Sequence, residues 1–210
     1  MSAKRIYDKL RRAGLTAAGA CGLMGNLMAE SSLVPNIAQR GMTSLSDEAY
    51  TAKFDKSPDS CIRDNVGYGL AQWTYWSRKQ ALWSFARSRG KSVGDMDMQL
   101  DFILRELEED YPGLLDFLCR TEDMYTAAER VCTEYERPAV NNVDRRYAFA
   151  QDFEARFEPG KEPEAFIPPD ISILVLQSVL VGNGYNTEIT GHSNAHFLKT
   201  LREFVTDIGA

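Results

Sequence analysis

Glu30 is the residue of this 210-residue chain whose type and position are best suited to acid chemistry. Thr16 is a good N-cap for a helix that runs through AAGACGLMGNLMAESSL and that Pro35 brings to an end. At about 100° per residue, Glu30 comes out roughly 20° from Leu23 on the apolar face that also carries Leu27. The pattern predicts a carboxyl group at the edge of an apolar face, near the end of a Gly- and Ala-rich helix that can pack closely.

A carboxyl group in that position has two interpretations. Loss of water around it disfavours the charged form, and a general acid that cleaves a glycosidic bond must still hold its proton near neutral pH. The alternative is that Glu30 lies at the helix boundary with its head group in water. The helical wheel alone favours this second interpretation, so the decision depends on other motifs.

Three motifs in a fixed order decide between these interpretations. The stretch GNLMAESSLVPN carries Glu30-Ser31, GYGLAQWTYWSRKQAL carries Gly-Leu-Ala-Gln at 69–72, and Glu-Arg-Pro follows at 136–138. Together they resemble the lysozyme-like family of phage tail and endolysin muramidases, and more distantly the goose-type lysozymes and lytic transglycosylases. In that group a Glu-Ser pair ends a long central helix, and a Gly-Leu-x-Gln stretch follows on the opposite wall of the cleft. The resemblance covers about residues 5–157 and favours the general-acid interpretation.

The resemblance implies a mainly α, lysozyme-like catalytic domain with at most a short β-hairpin and a groove that binds sugars. Glu30 would donate its proton to the oxygen that links N-acetylmuramic acid to N-acetylglucosamine in peptidoglycan, which is a muramidase activity. Ser31 and Gln72 would lie near the cleaved sugar. The further substrate-binding candidates along the groove are Tyr68, Gly69, Trp73 and Tyr147.

Three aromatic residues follow the Gly-Leu-Ala-Gln stretch, and the same resemblance places Trp73, Tyr75 and Trp76 where their faces can stack on sugar rings. From the residues alone, burial in the core is an equal alternative for Trp73 and the favoured one for Tyr75 and Trp76. The motif therefore leaves open which of the three rings reach the substrate.

A hydrolase of this type needs a second carboxyl group, and the separation of the two groups fixes the stereochemistry. Asp47, Asp55, Asp59 and Asp64 all lie in the segment that should line the groove. Asp64 is the nearest of them to the Gly-Tyr-Gly motif, and we predict it as the second catalytic carboxylate. The alternative is a lytic transglycosylase, in which Glu30 serves as acid and then as base while a hydroxyl group of the sugar closes an anhydro ring.

Almost every periodic segment of the chain has the spacing of a helix, with apolar residues at i, i+3, i+4, i+7 and i+8. Such patterns fall at residues 100–107, 124–135 and 143–157, and the segment around residues 83–85 is expected to form another short helix. Residues 40–70 are rich in Gly, Ser, Thr and Asp and lose this periodicity, so at most a short hairpin is expected there.

Residues 158–169 read EPGKEPEAFIPP and hold four of the eight prolines, a composition typical of an extended connector. They separate a predicted catalytic domain, residues 1–157, from a small helical domain, residues 170–210. The second domain resembles the short helical peptidoglycan-binding repeat, which makes Gln177 and Tyr185 the predicted wall-binding residues. The alternative for so small a unit is a helical hairpin through which the chain forms homo-oligomers.

Composition and charge limit the partners of the chain. Its net charge is −6, and no cluster of Lys and Arg indicates binding to nucleic acid. The sequence lacks a run of about 18 apolar residues, so we expect no insertion into a membrane. No apolar segment follows the basic residues near its start, so we expect no secretion signal. We therefore expect an endolysin that acts on peptidoglycan and stays in the host cytoplasm until a separate holin-like protein gives it access to the wall.

Two rival functions belong to other classes. A peptidoglycan amidase or peptidase needs a zinc site or a Cys-His pair, and the chain has only two histidines, His192 and His196, so no metal or other cofactor is expected. The other rival is a non-enzymatic wall-binding or tail-associated protein on a lysozyme-like scaffold. Substituting Glu30 by Gln separates this case, because a protein that only binds does not need the carboxyl group.

Overall fold

The chain is mainly α-helical, as predicted. The computed structural model describes residues 3–138 and 140–158 and the single positions Gln177, Leu180, Leu201 and Phe204. Contacts between Cα atoms divide the chain into two units, residues 1–162 and 163–210. Of the predicted connector only Glu158 is described, so the boundaries of the two domains stay predictions.

Nine α-helices and one π-helical segment make up most of the part of the chain that the structure describes. In chain order they are α1 (Ala3–Arg12), α2 (Ala17–Ser31), α3 (Asp47–Lys56), α4 (Pro58–Arg63), α5 (Trp76–Ser88), α6 (Met96–Glu109), α7 (Pro112–Leu118), α8 (Met124–Arg130), the π-helical segment Val131–Glu136 and α9 (Val143–Phe157). β pairing among these residues consists of two isolated antiparallel bridges, Ala38 with Tyr68 and Tyr68 with Trp73. This is the predicted fold class, with the hairpin reduced to a single tight turn.

Helix α2 carries Glu30 in its last turn. Thr16 caps its N-terminus as predicted, because Oγ1 of Thr16 accepts a hydrogen bond from the Gly19 N–H at 2.9 Å. The helix ends at Ser31, since Ser32 adopts a left-handed conformation with φ 54°. Twelve of its fifteen residues are buried, so α2 is a core helix that is surrounded by others rather than a helix with one apolar face.

Glycines recur every three residues along α2 and let the neighbouring helices approach its backbone. A Cβ atom at Gly22 would lie 2.6 Å from the Cβ atom of Ala127 in α8. A Cβ atom at Gly25 would overlap the carbonyl oxygen of Arg146 in α9. This close packing is the reason why the side chain of Arg146 reaches the end of α2 that carries the acid.

The predicted helix over residues 124–135 changes its hydrogen-bond pattern half-way along. It is α-helical through Arg130 and then forms the π-helical segment. Arg137 ends the segment in a left-handed conformation (φ 50°), with its N–H bonded to the Cys132 carbonyl at 2.8 Å. Single π-helical turns of this kind are frequent at functional sites. Glu136, the last residue of this segment, lines the same cleft as Glu30.

The segment over residues 40–70 is more regular than predicted, because it contains α3 and α4. Ser46 caps α3 by accepting a hydrogen bond from the Ala49 N–H at 3.2 Å. The helix buries only Tyr50 and Phe54, so its apolar pattern is too short to show a period. Its sequence signals are those of capping and of charge, with acidic residues in the first turn and lysines in the last.

One continuous cluster of buried apolar side chains runs from Ile6 in α1 to Phe153 in α9. The buried free thiols Cys21, Cys61 and Cys132 lie among helices and pack as small apolar groups. Across the described ranges, no helix combines the length and the hydropathy that crossing a membrane requires.

Candidate active site

A cleft of about 970 Å³ opens beside the C-terminal end of α2, and this volume is at the upper end for ordinary ligand sites. The segments that line it are the end of α2, residues 37–42, Asn65, the turn at 71–75, Arg78 of α5 and residues 136–138. Its walls therefore come from parts of the sequence that are more than 100 residues apart.

Glu30 lies in this cleft with its carboxyl group held by a buried arginine. Nη2 of Arg146 donates to Oε1 of Glu30 at 2.6 Å, and the two side chains are 7% and 19% exposed. Nη1 of Arg146 donates to Oδ1 of Asn26 at 3.1 Å. The amide group of Asn26 donates in turn to the carbonyl groups of Gly22 and Ala128, both at 2.9 Å. The carboxyl group of Glu30 is therefore oriented and mostly buried, rather than solvated at a helix boundary.

The sequence analysis missed Arg146, which is 116 residues from Glu30. A signal was present in α9, because Arg146 is three residues after Val143 and four before Ala150 and so lies on the face predicted to be apolar. A cation on an apolar face needs a buried anion as its partner. Nothing in the sequence, however, identifies that anion as Glu30.

Glu136 faces the same cleft from the end of the π-helical segment. The residue is partly buried, and its Oε1 atom is shielded from solvent without a hydrogen-bond partner among the described residues. Burial raises the pKa of Glu136 well above its usual value, the charge of Glu30 raises it further, and Arg78 and Arg146 oppose this. The sequence analysis used Glu136 only as part of a motif. Glu136 is therefore a second carboxyl group of the cleft, and burial raises its pKa.

Asp64, the predicted second carboxylate, does not line the cleft, and this corrects the prediction. Its carboxylate accepts hydrogen bonds from Nζ of Lys79 at 2.5 Å and from the hydroxyl group of Tyr50 at 3.0 Å. Lys79 is fully buried, and burial lowers its pKa while the hydrogen bond and the charge of Asp64 raise it. Asp64 is thus the counter-ion of a buried ammonium group, which would otherwise be unpaired.

The other three aspartates of that segment also lie outside the cleft lining. Asp47 accepts a hydrogen bond from the Ala38 N–H at 2.9 Å. Asp55 accepts one from the Val93 N–H at 2.8 Å. Asp59 is exposed on α4. The first two acids tie loops to helices, and proximity to the motif along the sequence was therefore a poor guide to the second carboxyl group.

Two of the predicted substrate-binding residues, Ser31 and Gln72, line the cleft. Ser31 is buried, and its hydroxyl group donates to the Leu27 carbonyl at 3.0 Å. The amide group of Gln72 donates to the Gly69 carbonyl at 3.0 Å and closes the turn. Gly69 itself does not line the cleft, because its left-handed backbone (φ 76°) packs against Gln99, 2.8 Å from where a Cβ atom would be. Its role in this structure is to shape the turn.

Tyr68, Trp73 and Tyr147 are buried side chains outside the cleft lining, which differs from their predicted contact with substrate. Tyr68 and Trp73 form the paired positions of the turn and are fully buried. Nε1 of Trp73 donates to Glu106 at 2.9 Å. Tyr147 packs edge-on against Tyr125 with the ring centroids 5.2 Å apart. These rings support the walls from behind.

Glu106 connects one wall of the cleft to the core. It accepts hydrogen bonds from Nε and Nη2 of Arg78 at 2.7 and 2.9 Å and from the hydroxyl group of Tyr135 at 2.7 Å. Arg78 lines the cleft, and its charge is balanced on the core side by this carboxylate. The part of the cleft wall that contains Arg78 is therefore fixed by a network of charged hydrogen bonds.

Tyr75 and Trp76 are exposed, at 64% and 56%, so the interpretation that favoured burial for them is wrong. Their ring centroids are 6.0 Å apart at the start of α5. Tyr75 lines the cleft, as does Met42, which is 51% exposed. Tyr75 and Met42 thus provide exposed apolar surfaces in the cleft against which the faces of sugar rings can pack.

The predicted wall-binding residues are described only in part. Gln177 is buried, so its amide group is not presented to solvent, and Tyr185 lies outside the described residues. His192 and His196 also lie outside them. Within the described residues, no three His, Cys, Asp or Glu side chains are grouped so that they could hold a metal ion.

Comparison with known proteins covers the part of the chain that forms this cleft. The phage tail lysozyme family matches residues 1–157. Among curated proteins, the chain is similar to morphogenesis protein 1 of Bacillus phage B103, with 29% identity over 153 residues. That match covers 70% of this chain and 36% of the relative, so the chain spans little more than a third of the length of that protein.

Proposed function

The chain belongs to the phage tail lysozyme family, and on that premise we propose that it cleaves the glycan strand of bacterial peptidoglycan between N-acetylmuramic acid and N-acetylglucosamine, with Glu30 as the general acid. The observation that carries this proposal is the placement of Glu30 in a large cleft with its carboxyl group oriented by Arg146. A general acid must lie within hydrogen-bond reach of the atom that it protonates, and geometry is the first test of a candidate.

The rest of the cleft supports a peptidoglycan strand as its occupant. Tyr75 offers an exposed aromatic face in the cleft, and the neighbouring Trp76 is also exposed. Arg40 and Arg137 line it and have no carboxylate partner among the described residues. Guanidinium groups without a carboxylate partner suit the carboxylates of the peptides that muramic acid carries, because they bind such groups in a bidentate manner. An anionic, peptide-bearing glycan therefore fits this cleft better than a neutral one.

Hydrolysis is the proposed outcome, and lytic transglycosylation is its alternative. In both reactions the proton of Glu30 goes to the glycosidic oxygen as the bond to C1 breaks. In hydrolysis, water then attacks C1 and leaves a reducing end. In transglycosylation, the C6 hydroxyl group of the same sugar attacks and leaves an anhydro end. The products of the two reactions differ in mass by one water.

The test is digestion of purified cell walls, followed by mass spectrometry of the released fragments. Glu30→Gln removes the proton donor and keeps the shape of the side chain. Glu108→Gln is the matched control, because Glu108 is exposed on α6 and does not line the cleft. We expect wild type and the control to release fragments with reducing ends and Glu30→Gln to release at least about 100-fold less.

Three other outcomes of this digestion are informative. Anhydro ends that depend on Glu30 would establish the transglycosylase alternative. Cleavage between sugar and peptide would identify an amidase and sink the proposal. Equal wall binding by wild type and Glu30→Gln, with no fragments from either, would leave a protein that only binds.

The biological setting has two candidates. The sequence analysis favours an endolysin that collects in the host cytoplasm and meets the wall after a holin-like protein opens the membrane. A tail-associated enzyme that opens the wall during infection is the second candidate, and the names of the family and of its relative, a morphogenesis protein, favour it. Immunoblotting of purified virions separates the two, because an endolysin is found in the lysate and a tail protein is found in the particle.

We also propose that residues 170–210 bind the wall or join copies of the chain. The resemblance to a peptidoglycan-binding repeat supports wall binding, with Tyr185 as its candidate residue. The burial of Gln177 argues against a direct contact through that side chain. Pull-down of the chain by insoluble walls, together with its mass in solution from light scattering, tests both roles.

A further inference from the structure

We propose that Glu136 is the second working carboxyl group of the cleft: it holds a proton beside Glu30 in the free protein and passes this proton to Glu30 when the glycan is bound. The inference rests on the proposed function, since it assigns a role in the same reaction. It replaces Asp64, which the structure places with Lys79 outside the cleft.

The need for a proton source follows from the ion pair between Arg146 and Glu30. The distance of 2.6 Å between Nη2 and Oε1 is that of a charged pair, and both side chains are largely buried. A carboxylate in such a pair has already given up its proton, whereas a general acid must have one to give. The proton therefore has to reach Glu30 from another group in the cleft once the substrate is in place.

Glu136 has the properties of that group. It lines the cleft with Glu30, and its shielded Oε1 atom has no hydrogen-bond partner in the described ranges. An unpaired charge at such an atom is costly, and a protonated carboxyl group avoids this cost. The charged groups that act on it come from four helices: Glu30 of α2, Arg78 of α5, Glu106 of α6 and Arg146 of α9.

The raised pKa of Glu136 agrees with its role as the group that holds the proton. Burial is the largest cause of the raised pKa of Glu136, and the negative charge of Glu30 is the next. Two carboxyl groups that repel each other in this way hold one proton between them over a wide pH range. The shielded Oε1 atom of Glu136, which has no hydrogen-bond partner among the described residues, makes Glu136 the member that holds the proton.

One proton moves between the two carboxyl groups in each catalytic cycle. The O–H bond of Glu136 breaks and an O–H bond forms at Glu30, through a water in the cleft, because no hydrogen bond joins the two side chains directly. Glu30 then protonates the glycosidic oxygen as the bond to C1 breaks. The water that attacks C1 loses one proton, and this proton restores the O–H bond of Glu136. The enzyme ends in the state in which it began.

Glu136→Gln tests this assignment, because glutamine has the size of a protonated glutamic acid and cannot release a proton. We expect kcat on purified walls to fall by about 100-fold or more, with KM and folding retained. Glu134→Gln is the matched control: it lies on the same π-helical segment, pairs with Arg130 and does not line the cleft. Glu136→Asp keeps a carboxyl group and should retain more activity than Glu136→Gln.

Thermal unfolding against pH provides a readout that does not depend on activity. The folded-state pKa of Glu136 is raised, so the wild type loses stability as pH rises from about 4.3, the usual value of an unfolded Glu, towards the folded value. The amide group of the Glu136→Gln variant does not titrate, so the variant is spared this loss. We therefore expect the Tm of Glu136→Gln to exceed that of wild type by a margin that grows over this pH window, while Glu134→Gln follows the wild type.

Infrared spectroscopy of the wild type covers the case in which Glu136→Gln does not fold. The C=O stretch of a protonated carboxyl group should be present at pH 7 in wild type and in Glu30→Gln. If this band is absent, or if Glu136→Gln has wild-type kcat, the assignment of the proton to Glu136 is wrong. The proposed function fails separately, if Glu30→Gln is as active as wild type.

Discussion

Glu30 owes its fixed position in the cleft to two residues that are distant from each other in the sequence. Asn26, one turn earlier on α2, holds Arg146 through its side-chain oxygen, and Arg146 holds Glu30. Asn26 is fully buried and bonds to backbone carbonyls of α2 and α8, so the chain of contacts begins in the rigid core. A carboxyl group that is positioned in this way stays in place while it exchanges a proton.

Asp64 stabilises the fold through its ion pair with Lys79, and substitution of Asp64 tests this role. Asp64→Asn leaves the buried ammonium group of Lys79 without a counter-ion, which should cost about 2–3 kcal/mol and lower Tm by roughly 4–12 °C. Because Asp64 does not line the cleft, kcat at 25 °C should change by less than about twofold. Thermal unfolding and wall digestion of the same sample measure the two effects.

Asp59→Asn is the control for this substitution, because Asp59 is exposed on the neighbouring helix α4 and should leave both quantities unchanged. The opposite pattern, with Tm unchanged and kcat lost in Asp64→Asn, would restore Asp64 as the second catalytic carboxylate and remove Glu136 from that role.

The sequence predicts the candidate acid, Glu30, better than it predicts the side chains that act on Glu30. Glu30 was found because a local helical pattern and an ordered set of motifs both point to it. Arg146 and Glu136 could not be assigned, because their roles depend on which helices pack together. Trp73 and Tyr68 were expected to face the substrate, but a tight turn directs both rings into the core, and only the three-dimensional path of the turn shows this.

Helix α2 illustrates how one element sets the geometry of the site. Its glycines remove the side chains that would hold α8 and α9 away. The distance between α2 and α9 determines whether Arg146 reaches Glu30, so stability and the geometry of the site depend on the same contact. Its three glycines each lower the helix propensity by about 1 kcal/mol relative to alanine, and burial of most of its residues stabilises the helix.

Gly25→Ala tests this link between packing and activity. The added Cβ atom would overlap the carbonyl oxygen of Arg146, and relief of this overlap requires α9 to move. We expect a loss of about 1–3 kcal/mol in the free energy of unfolding. We also expect a fall in kcat of up to about 100-fold, because Arg146 is displaced from Glu30. Chemical denaturation and wall digestion measure the two quantities.

Gly113→Ala in α7 is the matched control, because a Cβ atom there meets nothing within 4 Å. It should leave kcat unchanged and change the free energy of unfolding by less than about 1 kcal/mol, in the direction of greater stability. If Gly25→Ala behaves in the same way as this control, the close packing of α2 against α9 is not what positions Arg146.

The helices were predictable where their apolar pattern is long and were missed where it is short. α6 and α9 agree with the predicted positions, and α9 has the predicted bounds. α3 and α4 were not predicted, because their signals are capping and charge. The π-helical segment Val131–Glu136 has the same apolar spacing as an α-helix at the resolution of a sequence pattern, so its effect on Glu136 could not be foreseen.

The last described helix of the first unit ends close to the boundary between the two units. Helix α9 ends at Phe157, and the contacts divide the chain after Glu162. The buried cluster that includes α2 and α9 is made of residues 6–153. A fragment of residues 1–162 therefore contains every described side chain that lines the cleft, together with the buried cluster that supports them.

We expect this fragment to fold cooperatively and to cleave soluble glycan fragments at the rate of the full chain, because the described residues that line the cleft all lie in the first unit. On intact walls at low enzyme concentration it should be slower by about 10-fold or more, because a linked binding unit raises the local concentration of the enzyme at its substrate. Circular dichroism, a soluble-substrate assay and wall digestion measure the three quantities. Equal rates on intact walls would show that residues 170–210 do not bind the wall, and a slower rate on soluble fragments would show that they take part in the cleft.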